Sequence, residues 1–407
     1  MNAFLCERLI DGTGKPPLEN VVLLEENGLI KTVARAADIS IPDHATIIRT
    51  QTLMPGLIDT HVHLAYTGKP EKGAFRSEAS ETSYPLLALR AAKHAKDTLE
   101  WGFTSVRDMN APGGVIIDLR DAINAGHVQG SRVKACGLGL SVTGGHMDAG
   151  GWGDHVRFTD MTLPCDGALG FIRGARSQVK RGADFIKINL CVGSRVNVEH
   201  TPYRQEMTDE EIAAVMQEAA HLEKFVAAHT SGGSSVKKAV ALGLNTVEHG
   251  HWIDEETADL MAERGAYYVP TLLVNERNFD FPLEHLSAAT RLWLEKSRED
   301  KWVSLEIVHK AGVKIALGTD AGFTLPHGSM NARELELLMH GGLTALEAIK
   351  AGTQTAAELM QMPNLGSIKT GKIADLLLVD GNPLEDIKVL QDKNNLRVFK
   401  DGLEVQA

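Results

Sequence analysis

One phrase recurs through the middle of this chain and constrains its fold more than any other feature: a helical segment, a glycine, then a short apolar run. It stands at Trp101-Gly102-Phe103-Thr104-Ser105-Val106, Arg181-Gly182-Ala183-Asp184-Phe185-Ile186, Leu242-Gly243-Leu244-Asn245-Thr246-Val247, Arg264-Gly265-Ala266-Tyr267-Tyr268-Val269 and Ala311-Gly312-Val313-Lys314-Ile315-Ala316. Glycine ends a helix in the left-handed conformation at little cost, and the apolar run after it reads as a buried strand. Alternation of this kind implies parallel strands covered by helices. Capping boxes at Thr208-Asp209-Glu210-Glu211 and Thr344-Ala345-Leu346-Glu347 mark helix starts. Adding Leu57-Ile58-Asp59, Val133-Lys134-Ala135 and Phe225-Val226-Ala227 gives eight candidate strands. Eight suits a closed α/β barrel better than an open doubly wound sheet.

The two ends have a different texture. Residues 1–54 hold β-rich runs (Val21-Val22-Leu23-Leu24, Ala45-Thr46-Ile47-Ile48) and the hairpin signal Asn27-Gly28. The tail repeats the style with Ala374-Asp375-Leu376-Leu377-Leu378-Val379, Leu396-Arg397-Val398-Phe399 and a second signal at Asp401-Gly402. The ends are therefore expected to pair into one small β domain, 1–54 with 364–407, leaving 55–363 for the barrel.

Composition narrows the function. A chain of 407 residues that is 43% hydrophobic can bury a large core and is neither disordered nor fibrous. With 42 Lys and Arg against 53 Asp and Glu, net charge −11, and no basic run longer than a pair such as Lys237-Lys238, a nucleic-acid partner is not expected. No apolar run approaches the roughly 18 residues of a membrane span, so no membrane partner is expected. The start runs into Glu7-Arg8 without an apolar stretch, which reads as cytoplasmic, although a chain whose leader had been removed would look the same. Cys6, Cys136, Cys165 and Cys191 are far apart, without CxxC spacing, and read as buried thiols in a reducing compartment.

What ends each strand carries the chemistry, because active sites of such barrels sit at the carboxyl ends of the strands. The first strand ends in Asp59-Thr60-His61-Val62-His63, and two His at i and i+2 in extended backbone point to the same side, where both can reach one metal. The fourth delivers Lys187 between Ile186 and Ile188, where a bare ammonium is costly and needs a special partner or chemistry. The fifth ends at His229, the sixth at Glu248-His249-Gly250, the eighth at Gly318-Thr319-Asp320. A single His at a strand end is more often an ordinary polar cap than a ligand; four of them with a Lys and an Asp on one rim are not explained that way. His251 reads as a neighbour of the site or, more readily, as surface. Gly14-Lys15 fails as a phosphate loop, since Leu9 and Pro16 stand where Gly and Ser or Thr are needed. Gly137-Leu138-Gly139-Leu140 opens no clear helix after a first strand, so a dinucleotide site is not expected.

These residues resemble the amidohydrolase superfamily of metal-dependent hydrolases over nearly the whole chain. The likeness runs from Leu53-Met54-Pro55-Gly56-Leu57-Ile58-Asp59-Thr60-His61-Val62-His63 through Thr104-Ser105-Val106-Arg107-Asp108 and Val247-Glu248-His249-Gly250 to Gly318-Thr319-Asp320 and Gly371-Lys372-Ile373-Ala374-Asp375-Leu376. It is greatest to the branch holding imidazolonepropionase-related enzymes and prolidase-like metal-dependent dipeptidases. The resemblance implies a (β/α)8 TIM barrel with a β-sandwich built from the termini. It implies that His61 and His63 bind a buried metal with Asp320, that His229 and His249 bind a more exposed one, and that Lys187, N-carboxylated by CO2, bridges both. Lys187 favours two ions over the one of the imidazolonepropionase type. Zinc is the first choice, with manganese, iron or cobalt open.

Two metals sharing a water can deliver hydroxide at neutral pH, while Asp320 would take the proton and pass it to the departing amine. His146, in Thr143-Gly144-Gly145-His146-Met147-Asp148, is a candidate for oxyanion support or for stabilising its loop. The connection from Cys191 to Met207 holds Arg195, His200, Tyr203 and Arg204 and reads as a lid, a carboxylate clamp or a solvated loop. Of Tyr267 and Tyr268, which alternate in facing, at most one looks into the barrel; Tyr268 is the substrate-binding candidate. Past His229 stands Ser231-Gly232-Gly233, where dipeptidase-like relatives carry a larger hydrogen-bonding residue. The expected substrate is a dipeptide, of the Xaa-Pro or a similar kind, or an N-acyl amino acid. An aryl amide, carbamate or cyclic amide is the alternative, and a metal-free scaffold the minor one. Barrels of this size commonly self-associate, so a homo-oligomer is expected.

Overall fold

A computed structural model describes residues 1–70, 74–148, 161–193, 203–284 and 286–406. The recurring phrase folds as its chemistry dictates: Gly102, Gly182, Gly243, Gly265 and Gly312 all have positive φ, from 69° to 102°, and each hands a helix over to a strand. Both capping boxes form, Thr208 with Glu211 and Thr344 with Glu347.

The strands that follow run in parallel. Leu57–Val62 pairs with Phe103–Asp108, and that strand with Arg132–Ala135. On the other side Ile186–Asn189, Val226–Gly232, Thr246–Trp252, Tyr267–Val269 and Lys314–Ile315 pair in succession. Two irregular joins close the ring. The third strand breaks at Gly137 (φ 74°) and resumes at Leu140–Ser141, where Leu140 lies in register with Ile188 of the fourth. The eighth returns to the first through Thr60 N–H to Leu317 O (2.9 Å), Asp320 N–H to His61 O (2.8 Å) and a parallel bridge between Val62 and Ala321. The result is the expected eight-stranded α/β barrel. Its first two strands are buried at every position, as strands covered on both faces must be.

The ends meet as expected. Asn27 and Gly28, then Asp401 and Gly402, have the paired positive φ of two-residue hairpins, and Leu376–Val379 pairs antiparallel with Thr46–Pro55. Hydrogen bonding is continuous through one seven-stranded sheet rather than divided between two. The sheet curls over itself: Phe4 and Phe399, on strands three places apart, meet with ring centroids 4.9 Å apart, whereas a flat sheet would hold them about 14 Å apart. The sandwich is thus one coiled sheet. Its strand Thr46–Pro55 runs straight into the first barrel strand through Gly56, where any Cβ would strike the Thr104 side chain, and so fixes the strand that carries His61 and His63. All four cysteines are free and buried, and among the described residues no helix is long and apolar enough to cross a membrane.

Candidate metal centre

The strand register brings the polar strand ends together. His61 and His63, 1% and 5% exposed, each give one ring nitrogen to the protein: His61 Nδ1 lies 2.7 Å from Glu248 Oε2 and His63 Nδ1 3.1 Å from Asn110 O. Both Nε2 atoms then face Asp320 Oδ1, at 3.4 and 3.1 Å. That carboxylate oxygen is buried and makes no hydrogen bond. Two imidazole nitrogens converging on an orphaned carboxylate oxygen are what a cation satisfies. His249 offers a third direction, with Nδ1 held by Thr271 Oγ1 at 2.7 Å; ligand atoms of His61, His249 and Asp320 lie within 4.8 Å of one another. The His229 ring is 4.5 Å from that of His249 and stacks on His146 at 3.9 Å. His61, His63, Lys187, His229, His249 and Asp320 all line one cavity of about 470 Å³. Backbone strain gathers here: Asp320 (φ 64°), His249 (67°) and Thr271 (47°) adopt the left-handed conformation without being glycine.

The electrostatics suit cation binding. Burial and the neighbouring His146 push His229 well below the ordinary histidine range, and burial with His229 and His61 does the same to His249, so both imidazoles are neutral with a lone pair to give. Burial alone would raise Asp320, but His61 and His63 outweigh it and hold the carboxyl well below its ordinary range. Burial lowers Lys187 to about 8, against the pull of Glu248. Beneath the rim Glu248, fully buried, accepts from His61, from Arg107 Nη2 (2.6 Å) and from Thr246 Oγ1 (2.5 Å). Burial raises its carboxyl, yet Arg107 and His61 bring it down to about 2. Asp59 secures the other flank, accepting from His61 N–H (3.1 Å), Thr319 Oγ1 (2.6 Å) and Asn331 Nδ2 (2.7 Å).

Residues expected to meet substrate divide sharply. His146 lines the cavity, its loop tied by His146 N–H to Glu206 (2.8 Å) and by Asn189 Nδ2 to His146 O (3.3 Å). Tyr268 does not: it is fully buried between barrel and helices, its hydroxyl donating to Gly250 O at 2.9 Å, so its candidacy as a substrate residue is withdrawn. Tyr203 lies outside the cavity lining and packs over Gly233, where a side chain would collide with its ring. Arg204 pairs with Glu206 at 3.1 Å, and Arg195 and His200 fall outside the described residues. His251 is not surface: it is 5% exposed, with Nε2 3.3 Å from Asn275 Oδ1. The cavity walls come instead from Phe75, Met109, Met147, Val274 and Phe323, with Arg76 as a second cation beside Lys187.

Residues 52–405 match the amidohydrolase family. Ochratoxinase from Aspergillus niger is 32% identical over 97% of this chain and 84% of its own length. Its crystal structure superposes with a TM-score of 0.86 at 30% identity, covering 100% of this chain and 95% of that one. A Xaa-Pro dipeptidase solved with methionine in its active site is 32% identical, with a TM-score of 0.83 and all of both chains covered. A prolidase in complex with N-methylphosphonate-L-proline is 30% identical, with a TM-score of 0.85 over 100% and 99% of the two chains.

Proposed function

The chain belongs to the amidohydrolase family, as an enzyme of its prolidase-like branch acting on carbon–nitrogen bonds, and we propose that it uses two divalent ions to cleave the amide of an N-acyl amino acid or dipeptide. The observation that carries the metal reading is the buried Asp320 Oδ1, without a hydrogen bond, facing His61 and His63 Nε2. His61, His63 and Asp320 would hold one ion and His229 with His249 the other, zinc being the first choice for such donors. Lys187 would serve both once its ammonium gives up one proton and the neutral nitrogen adds to CO2 with loss of a second, which leaves a carbamate anion in place of a cation. A buried amine at about 8 keeps a share in the neutral form that this addition needs. Bound ions would supply polarisation of the scissile carbonyl and a water acidified towards about pH 7.

The chain's own groups do the rest. Asp320 takes a proton from the attacking water and returns it to the departing nitrogen, since an amide nitrogen leaves poorly unless protonated. His146, which lines the cavity and stacks on His229, would support the carbonyl oxygen. For the substrate, Arg76 is the guanidinium that the described residues bring to the cavity lining, braced over the Phe75 ring at 5.8 Å, and Phe75 packs edge-on against Phe323 at 4.9 Å. An acyl group against the aromatic wall and a carboxylate at Arg76 describe an N-acyl amino acid. The same wall favours a second reading, a carboxylate-free aryl amide. Hydrolysis of matched pairs, each an N-acyl amino acid and its carboxamide, separates the two. A preference of about tenfold or more for the acids supports the first, as expected for one charged contact of about 1.5–3 kcal/mol. Equal rates, or faster amides, would refute it.

A further inference from the structure

His249 owes its orientation to Thr271, whose Oγ1 lies 2.7 Å from His249 Nδ1. Thr271 follows the seventh barrel strand at a φ of 47°, a conformation unfavourable for a β-branched residue that persists only where its surroundings enforce it. Two buried ionisable side chains surround that turn. Lys301, 1% exposed in the middle of the helix Ala288–Lys310, donates to Thr271 O (2.9 Å) and Thr271 Oγ1 (3.3 Å), and reaches Asn275 Oδ1 (3.3 Å). Glu334, 0% exposed in the helix Arg333–His340, accepts the next two backbone N–H groups, from Leu272 (2.8 Å) and Leu273 (2.7 Å). Neither side chain lines the cavity. Burying such groups costs several kcal/mol that packing alone would not require, because a methionine would fill Lys301's space.

We propose that Lys301 and Glu334 are positioning residues for His249, acting through the strained Thr271 turn. The inference rests on the reading of His249 as a metal ligand. An ammonium can only donate and a carboxylate only accept, so the two grip the turn's oxygens and its N–H groups respectively. Together they set Thr271 Oγ1 opposite His249 Nδ1. With that nitrogen donating to the threonine, Nε2 is left to the ion. Removing a partner of this kind typically costs about 10- to 100-fold in metal affinity.

The test is zinc affinity of folded, chelator-stripped protein, measured by competition with a chromophoric chelator for wild type, Thr271→Val, Lys301→Met, the Lys301→Met/Thr271→Val pair and the Lys301→Met/Glu334→Gln pair. Thr271→Val and Lys301→Met should each weaken one zinc-binding step by about 10- to 100-fold. Their combination should be no weaker than Thr271→Val alone, because Lys301 acts through the threonine. The variant lacking both charges removes the burden of a lone buried carboxylate and guards against Lys301→Met failing to fold; it too should bind zinc less tightly. Wild-type affinity in either folded Lys301 variant, or losses that multiply in the Lys301/Thr271 pair, would overturn the proposal. Wild-type protein that binds no zinc would overturn the metal reading itself, a different outcome from tight wild-type binding that the variants leave unchanged.

Discussion

Replacing Arg107 by methionine should destabilise the metal-free protein by about 3 kcal/mol at neutral pH, and the deficit should shrink in acid. Arg107 is 3% exposed; its Nε–H donates to Thr60 O at 2.6 Å and its Nη2–H to Glu248 at 2.6 Å, with the guanidinium 5.2 Å from the centre of the Phe185 ring. Methionine would keep much of the packing and leave Glu248 buried with His61, Thr246 and the more distant Lys187 to answer its charge. Breaking a buried pair by removing one partner costs about 3–5 kcal/mol. The proton on Glu248 points the same way: against burial, Arg107 together with His61 and Lys187 brings its carboxyl from 4.5 to about 2, a net shift worth about 3 kcal/mol at 1.36 kcal/mol per pH unit, to which Arg107 is the largest single favourable contributor. Because the folded value lies below the unfolded one, this contribution is complete above about pH 4.5 and is lost as the pH falls towards about 2. Urea denaturation of wild type and Arg107→Met, stripped of metal and compared at pH 7 and pH 3, measures both the size and the trend. A deficit under about 1 kcal/mol at pH 7, or one that grows at pH 3, would refute the reasoning.

Asp320→Asn should lower kcat by about 10²- to 10⁴-fold with a much smaller change in KM, read by steady-state kinetics at matched metal occupancy, because it removes a proton carrier rather than a substrate contact. Tyr268→Phe should cost about 1 kcal/mol of stability, the worth of its bond to Gly250 O, and leave kcat/KM within about twofold; a large rise in KM would restore it to the substrate site. At Gly318 an added Cβ would sit 2.8 Å from His61 Cβ, so Gly318→Ala should cost about 1–3 kcal/mol and weaken zinc binding, checked by denaturation and chelator competition. Adding zinc back to stripped wild type at about 100 times Kd should raise stability by about 2.7 kcal/mol per site, and no shift in the urea midpoint would count against a folded-state metal site.

The barrel and its rim are legible in the sequence because parallel strands deliver their last residues to one face, and the glycine phrase marks where five of the eight strands start. His61, His63, Lys187, His229, His249 and Asp320 could therefore be gathered before any packing was known. The groups that hold them are not legible in this way. Glu248 meets Arg107 across 141 residues of chain, and Asn331 meets Asp59 across 272, pairings that exist only once the barrel closes. Lys301 and Glu334 lie in helices whose patterns look ordinary, and nothing local says that their ends are buried. Alternation says that Tyr267 and Tyr268 face opposite ways but not which way leads to the cavity, and the hydrogen bond to Gly250 decides it. His251 looks like a surface neighbour because its cover comes from Trp252 and the distant Trp293. The Arg107 role had one trace in the sequence, a cation inside the apolar second strand, where burial demands a partner.

Amide hydrolysis at this rim should depend on two divalent ions. The decisive experiment is elemental analysis of the purified, folded protein, with hydrolysis of an N-acyl amino acid measured as metal is titrated into chelator-stripped samples. About two equivalents per chain are expected, with full activity only near the second. Full activity in protein with only trace metal, unaffected by chelators, would rule out a metal-dependent rim.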